Sequence, residues 1–264
     1  MKIKNSIKNS LFAKSLKLTK SNPGKIGLMI LFDIMFLISF FALQKLFRYF
    51  STNLIIPVSF SSVFIFIIFS LIYYLIILFS YTFFKYSILD FIKSLFGKSQ
   101  FSFSRLGQFY LLNILIIGVF FAIMLLFNSI LVNIKQTYAL YVFTLLAVPY
   151  SLFLYLVINI SHSEFYEGDS IKTAIKKSFI KTFTKIKSYR ETILTMILFA
   201  LSLWLLFLGS GYLIRLFTSK NYSLYLSTYA YFKQASIIIL DLAFYFMILI
   251  NRISFYAVIK EDKN

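Results

Sequence analysis

Apolar runs of about twenty residues or more recur six times along the chain, at 26–46, 56–83, 109–133, 137–160, 192–217 and 232–257. A helix needs about 20 apolar residues to cross the hydrocarbon of a bilayer, so each run predicts one transmembrane helix. The second run is longer than that. It predicts a tilted helix, or one that continues along the interface before Lys85. Pro149 falls midway along the fourth run, where its missing N–H and its ring predict a kink. Pro57, at the start of the second run, sits where a helix tolerates proline. The first run exceeds the roughly 7–15 residues of a signal-peptide core and no small-x-small cleavage site follows it, so it reads as a retained span. The pattern predicts an all-α integral membrane protein of six transmembrane helices, organised as a single polytopic domain over 1–264. It establishes class, solvent and orientation, and no activity.

Three polar segments carry a helical period of their own. Ile171, Ile175, Phe179, Phe183 and Ile186 recur at helical spacing with lysines between them, and Asp169 and Ser170 precede them as capping candidates. Residues 3–18 repeat the theme through Ile3, Ile7, Leu11 and Leu18, and Ile88, Ile92 and Leu95 do so more briefly. All three predict basic amphipathic helices lying on the membrane surface. Lys14-Ser15 followed by Thr19 resembles Lys177-Ser178 followed by Thr182, and Met-Ile-Leu-Phe follows each, at 29–32 and 196–199. Two diverged halves, 1–133 and 137–264, would explain the match. So would coincidence in a sequence of low complexity.

Composition agrees with the pattern. The chain is 60% hydrophobic and 14% charged, against about 45–50% and about 25% for a soluble domain, so lipid must cover much of its apolar surface. The absence of cysteine excludes disulfides, thiolate metal ligands and a Cys nucleophile. A net charge of +18 raises the question of nucleic acid. The cations lie beside the spans and no recognition motif accompanies them, so anionic lipid headgroups are the expected partner and nucleic acid is not. Lys172, Lys176, Lys177, Lys181 and Lys185 are the headgroup candidates. Protein partners stay open.

Charge placement also orients the chain. The N-terminal arm (Lys2, Lys4, Lys8, Lys14, Lys17, Lys20, Lys25), the connection from Lys85 to Arg105, that from Lys172 to Arg190, and the tail with Lys260 and Lys263 are rich in cations. The alternate connections are poorer, with Lys45 and Arg48, then Lys135, then Arg215, Lys220 and Lys233. Positive-inside bias places both termini in the cytoplasm, in agreement with an even number of spans. Tyr222, Tyr225, Tyr229 and Tyr231 fit an aromatic belt at the outer interface.

Few residues carry candidate chemistry. Asp33 and Asp241 lie well inside spans, where a bare carboxylate costs about 2.5–3.5 kcal/mol on insertion scales. Asp33 stands eight residues after Lys25, and Arg252 eight before Lys260, so the two match in depth and predict a pair between the first and last spans. That pair reads as a structural clamp, a proton or ion relay, or two snorkelling side chains. Asp241 lies nearer mid-membrane without a depth-matched cation. Asn113, Asn128 or nearby hydroxyls are its candidate donors, desolvation favours its protonated form, and it is the strongest single candidate for a functional residue. His162, between Ser161 and Ser163, reads as interfacial filler, since adjacent residues cannot supply a nucleophile, a base and an oxyanion hole. No His-Glu-x-x-His metal motif, Gly-x-Ser-x-Gly elbow or phosphate loop occurs, so no cofactor is expected. Gly209 and Gly211 suit close helix contact.

The stretch Gly168-Asp169-Ser170-Ile171-Lys172-Thr173-Ala174-Ile175-Lys176-Lys177-Ser178-Phe179 resembles one found before the fifth span of uncharacterised prokaryotic six-span membrane families. More loosely, it is similar to the membrane domain attached to some glycerophosphodiester phosphodiesterases. About a dozen positions carry the resemblance. It implies a six-span domain in a prokaryotic cell membrane, and no hydrolase residues, because the catalytic domain has no counterpart in this chain. The expectation is a non-enzymatic membrane scaffold or accessory protein engaging anionic lipid. The alternative is a small-solute or ion transporter using Asp241 and Asp33, with Asn113 beside them.

The proposed Asp33–Arg252 pair makes a first prediction. Asp33→Asn and Arg252→Gln should destabilise the protein equally, and the double variant should lose nothing further; thermal unfolding in detergent that gives additive losses would refute the pair.

Overall fold

A computed structural model describes residues 11–53 and 60–262 of the chain. Ile3, Ile7, Lys2, Lys4, Lys8, Pro57 and Lys263 lie outside the described residues, as does the side chain of Lys187. Every described element is a helix: α1 (Leu11–Ser21), α2 (Pro23–Asn53), α3 (Phe60–Ser94), α4 (Phe103–Val132), α5 (Gln136–Tyr166), α6 (Ile171–Thr184), α7 (Ile186–Thr218) and α8 (Tyr222–Glu261). Six of them are long and apolar enough to cross a membrane. In hydrocarbon each backbone N–H and C=O must find its partner within the segment, which leaves a helix as the only form such runs can take.

The six long helices hold 30 to 40 residues each, or about 45–60 Å at 1.5 Å per residue. They therefore outrun a hydrocarbon core of about 30 Å. Much of the excess lies at the basic ends. The second span continues as α3 to Ser94, the third begins at Phe103, the fourth continues to Tyr166 and the last to Glu261. This alters one expectation. Ile88 and Ile92 do not form a surface helix; they belong to the last turns of α3 and are buried where α4 and α5 pack against it. Helix α5 runs on through Pro149 without interruption, and the neighbouring Tyr150 hydroxyl donates to the Phe120 carbonyl on α4.

Packing groups the helices into two compact units, one of α1, α7 and α8 and the other of α2 to α6. The borders fall at 21/22 and 184/185, just before the first and fifth spans. In the larger unit α2 packs on α3, α3 on α4, and α4 on α5, with α6 laid against α4 and α5. Phe32 meets the rings of Phe84 and Phe91, and Phe36 those of Tyr81 and Phe84. In the smaller unit α7 and α8 form a hairpin carrying α1. A Cβ at Gly211 would touch Phe232 and Tyr229 at 3.5 and 3.8 Å, whereas one at Gly209 would meet nothing. Of the two glycines, then, only Gly211 lies at the α7–α8 contact.

Both amphipathic helices turn a small, polar face inward. Ala174, Ser178 and Thr182, spaced by four, form the buried face of α6; Ser15 and Thr19 form that of α1. In each case the threonine hydroxyl donates back to the serine carbonyl, at 2.7 Å in α6 and 2.9 Å in α1. Small side chains let the helix axes approach closely. Of the stripe expected to face lipid, Phe179 and Phe183 are exposed, while Ile171 and Ile175 are half-covered. The chain turns from α5 into α6 at Gly168, whose φ of 112° suits glycine alone. Ser170 accepts from the Thr173 N–H at 3.3 Å and caps α6. Asp169, the other capping candidate, instead pairs with Lys177 at 2.8 Å.

Burial is uneven along the long helices. Buried side chains cluster over 82–92 of α3, 106–120 of α4, 156–166 of α5 and 247–259 of α8. The opposite ends expose Leu126, Val132, Leu140, Leu145, Leu205 and Phe217, a surface that only lipid or another apolar partner can cover.

The small face of α6 should not accept bulk. Ser178→Leu is expected to lower stability by about 1–3 kcal/mol, while Phe183→Leu on the exposed face stays within about 0.5 kcal/mol, both read as thermal unfolding in detergent.

Candidate functional site

The last two turns of α5 read Asn159-Ile160-Ser161-His162-Ser163-Glu164-Phe165-Tyr166, and every one of these side chains is buried. A helix that is polar on several faces and still buried must have partners on each side. Here they come from α3, α4 and α6.

On the α4 side, His162 Nε2 lies 2.9 Å from Asn113 Oδ1, and the Asn113 Nδ2 donates to the Phe109 carbonyl at 2.9 Å. That second bond orients the amide so that its oxygen faces the ring, which assigns the proton to His162 Nε2. The ring lies edge-on to Phe109, 4.6 Å between centroids, and Nδ1 is buried without a hydrogen-bond partner. On the α6 side, the fully buried Glu164 faces Lys181 at 2.6 Å and Lys177 at 3.9 Å, and Lys177 also reaches Asp169. On the α3 side, the hydroxyls of Tyr166 and Ser99 both donate to Asp90 Oδ1.

Cations close the helix ends themselves. The last carbonyls of a helix have no partner within it and carry its negative dipole end. Arg105 donates to the Phe165 carbonyl at 2.7 Å and lies over that ring. Lys93 donates to the Tyr166 carbonyl at 3.3 Å, and Lys25 to the Ser94 carbonyl at 2.6 Å. The C-termini of α5 and α3 are thus capped from neighbouring helices. The smaller unit is tied by side chains instead: Lys14 pairs with Glu261 at 3.3 Å, Lys185 with Asp262 at 2.5 Å, and Ser254 donates to Ser15 at 2.9 Å.

The residues singled out from sequence divide accordingly. Lys177, Lys181 and Lys185 are each engaged by a carboxylate of the protein. Lys172 and Lys176 are exposed. The Asn113 amide donates to the Phe109 carbonyl and turns its oxygen to His162. Asp33 is half-buried on α2 and Arg252 half-buried on α8, one in each unit. Asp241 is exposed on α8 and has no hydrogen-bond or ion-pair partner among the described residues. Sequence reasoning read His162 as interfacial filler and Arg105 as part of a basic connection, and did not single out Glu164 or Asp90. A legible signal existed for one of them. Lys177 and Lys181 stand one helical turn apart, ready to flank a single acid on a neighbouring helix.

Chemically, this is a closed arrangement. Among the described residues no three of His, Asp and Glu converge as a metal site, and the ionised groups meet one another within the protein. Six helices long and apolar enough to cross a membrane define an all-α multi-pass membrane protein. No protein-family model, no curated protein and no solved structure matches the chain, so the functional reading rests on the geometry described above.

Breaking the Glu164–Lys181 pair leaves a buried charge short of its nearest partner. Lys181→Met is expected to destabilise by about 3–5 kcal/mol and Lys172→Met by less than about 0.5 kcal/mol, measured by thermal unfolding in detergent.

Proposed function

We propose that this protein is a non-enzymatic membrane scaffold or accessory protein that grips anionic lipid headgroups through α6, with α1 in a parallel role. The observation that carries the reading is the face α6 leaves uncovered. Lys172, Lys176, Ile180 and Phe183 follow one another at steps of four, four and three residues, and Phe179 stands three after Lys176 and four before Phe183, so all five share one side of the helix. All five are exposed. The lysines occupy the first turns and the aromatic side chains the last. A helix of this kind sets its cationic end among headgroups and dips its apolar end toward the acyl chains. Lysines near an anionic surface are worth about 1 kcal/mol each.

Positive-inside bias supports a cytoplasmic location for this face and for both termini. A transport pathway would want Asp241 lining a polar route. Its exposure on the flank of α8 and the closure of the Asn113 amide favour the scaffold reading over that one.

Lys172→Gln with Lys176→Gln should weaken binding of anionic over zwitterionic lipid by about 2 kcal/mol, roughly 30-fold, without loss of fold. Native mass spectrometry of the detergent-purified protein, titrated with each lipid class, measures this. Unchanged selectivity in the double variant would remove the reading.

A further inference from the structure

Helix α5 is fastened to α4 through the one histidine of the chain. His162 is fully buried. Its Nε2–H donates to Asn113 Oδ1 at 2.9 Å. Asn113 is itself fully buried, and turning its amide about would give up the bond to the Phe109 carbonyl. Phe109 packs edge-on against the ring. The other ring nitrogen, Nδ1, is buried and has no hydrogen-bond partner. A neutral ring tolerates this, because Nδ1 then carries a lone pair and no proton. A second proton has only Nδ1 to occupy, where it makes a buried cation with an unpaired N–H.

The charged groups on the helices packed against α5 do not offset such a cation. On α3, Lys85 is buried and its ammonium acts on the ring, while Asp90 and Lys93 are engaged at Tyr166. On α4, Arg105 is bound to the Phe165 carbonyl. On α6, Lys177 and Lys181 face Glu164, the acid two residues beyond the histidine. The like charge of Lys85 opposes a second charge on the ring.

We propose that His162 is a proton-operated lock between α4 and α5, closed while the ring is neutral and opened when Nδ1 takes up a proton. The bond that fastens the helices leaves Nδ1 without an acceptor, so protonation requires the end of α5 to part from α4 and bring the ring to water. Each opening takes up one proton. An imidazole in water is protonated below about pH 6.5. The closed form is therefore held in full above that pH, and its equilibrium over the open form falls about tenfold for each unit below it. Acid thus loosens the polar layer of the unit formed by α2 to α6. No lysine assigned to headgroups takes part, so the lock stands or falls apart from that reading.

With one histidine and no cysteine in the chain, the ring and the opening can each be followed without background. In detergent-purified full-length protein labelled with 15N-histidine, NMR should show one protonated and one bare ring nitrogen at about pH 7.5, and the imidazolium signal should grow in step with opening. Opening is read at Ser163→Cys, a buried position next to the histidine, as the rate of thiol labelling. That rate is taken relative to Thr173→Cys, exposed on α6, so that the thiol's own titration cancels. The ratio should rise about tenfold from pH 7.5 to 5.5. It should change less than twofold once His162→Gln is added, since glutamine keeps a donor for Asn113 and takes up no proton. A doubly protonated ring at pH 7.5, a ring that titrates near 6.5 while the buried thiol stays closed, a ratio flat in pH, or a rise that persists with His162→Gln would each overturn the proposal. Should His162→Gln not fold, the 15N spectrum and the pH dependence of the Ser163→Cys protein decide by themselves.

Discussion

Hydrocarbon offers no hydrogen bonds, and each helix that leaves it must find partners for its final carbonyls. In this chain lysine and arginine from adjacent helices supply them. Arg105 and Lys93 close the end of α5, and Lys25 closes that of α3. These contacts combine a charge-assisted hydrogen bond with the pull of the dipole's negative end. They also join helices at one level, and the buried side chains gather around that level. The rest of each span can then be left to lipid.

The same physics gives the cations two roles. Counted along the sequence, they are dense in alternate connections and sparse in those between. In the folded protein several of them turn inward. Lys177 and Lys181 meet Asp169 and Glu164, and Lys14 and Lys185 meet Glu261 and Asp262. A buried carboxylate such as Glu164 is tolerable only because a lysine stands against it. Other lysines, Lys172 and Lys176 among them, are turned outward by the packing.

The short helices α1 and α6 show how a hairpin of long helices takes on a third element. Each presents serine and threonine to the hairpin, bonds its threonine back to the serine carbonyl, and sends a lysine to an acid near the end of a long helix. The Lys-Ser…Thr match between them corresponds to one structural role. Each unit holds one copy of the device.

Sequence alone determined the spans, since about twenty consecutive apolar residues leave a helix no other solvent than lipid. It also carried the uneven spread of cations among the connections and the helical period of the α6 segment. It did not reveal that α3 and α5 run unbroken past their apolar stretches, because 88–95 read as a separate surface helix and 161–166 as an interfacial connection when their partners are not in view. Nor could it sort the lysines. Lys172 and Lys177 are alike in composition and neighbourhood, yet one is exposed and the other meets Asp169. The difference is the rotation of α6 about its axis, and that is decided by where Ala174, Ser178 and Thr182 fit against other helices. Tertiary structure alone fixed this, as it fixed the buried His162–Asn113 bond and the open flank of Asp241. A side chain's partner depends on which faces of distant segments meet, and one linear pattern holds no record of that.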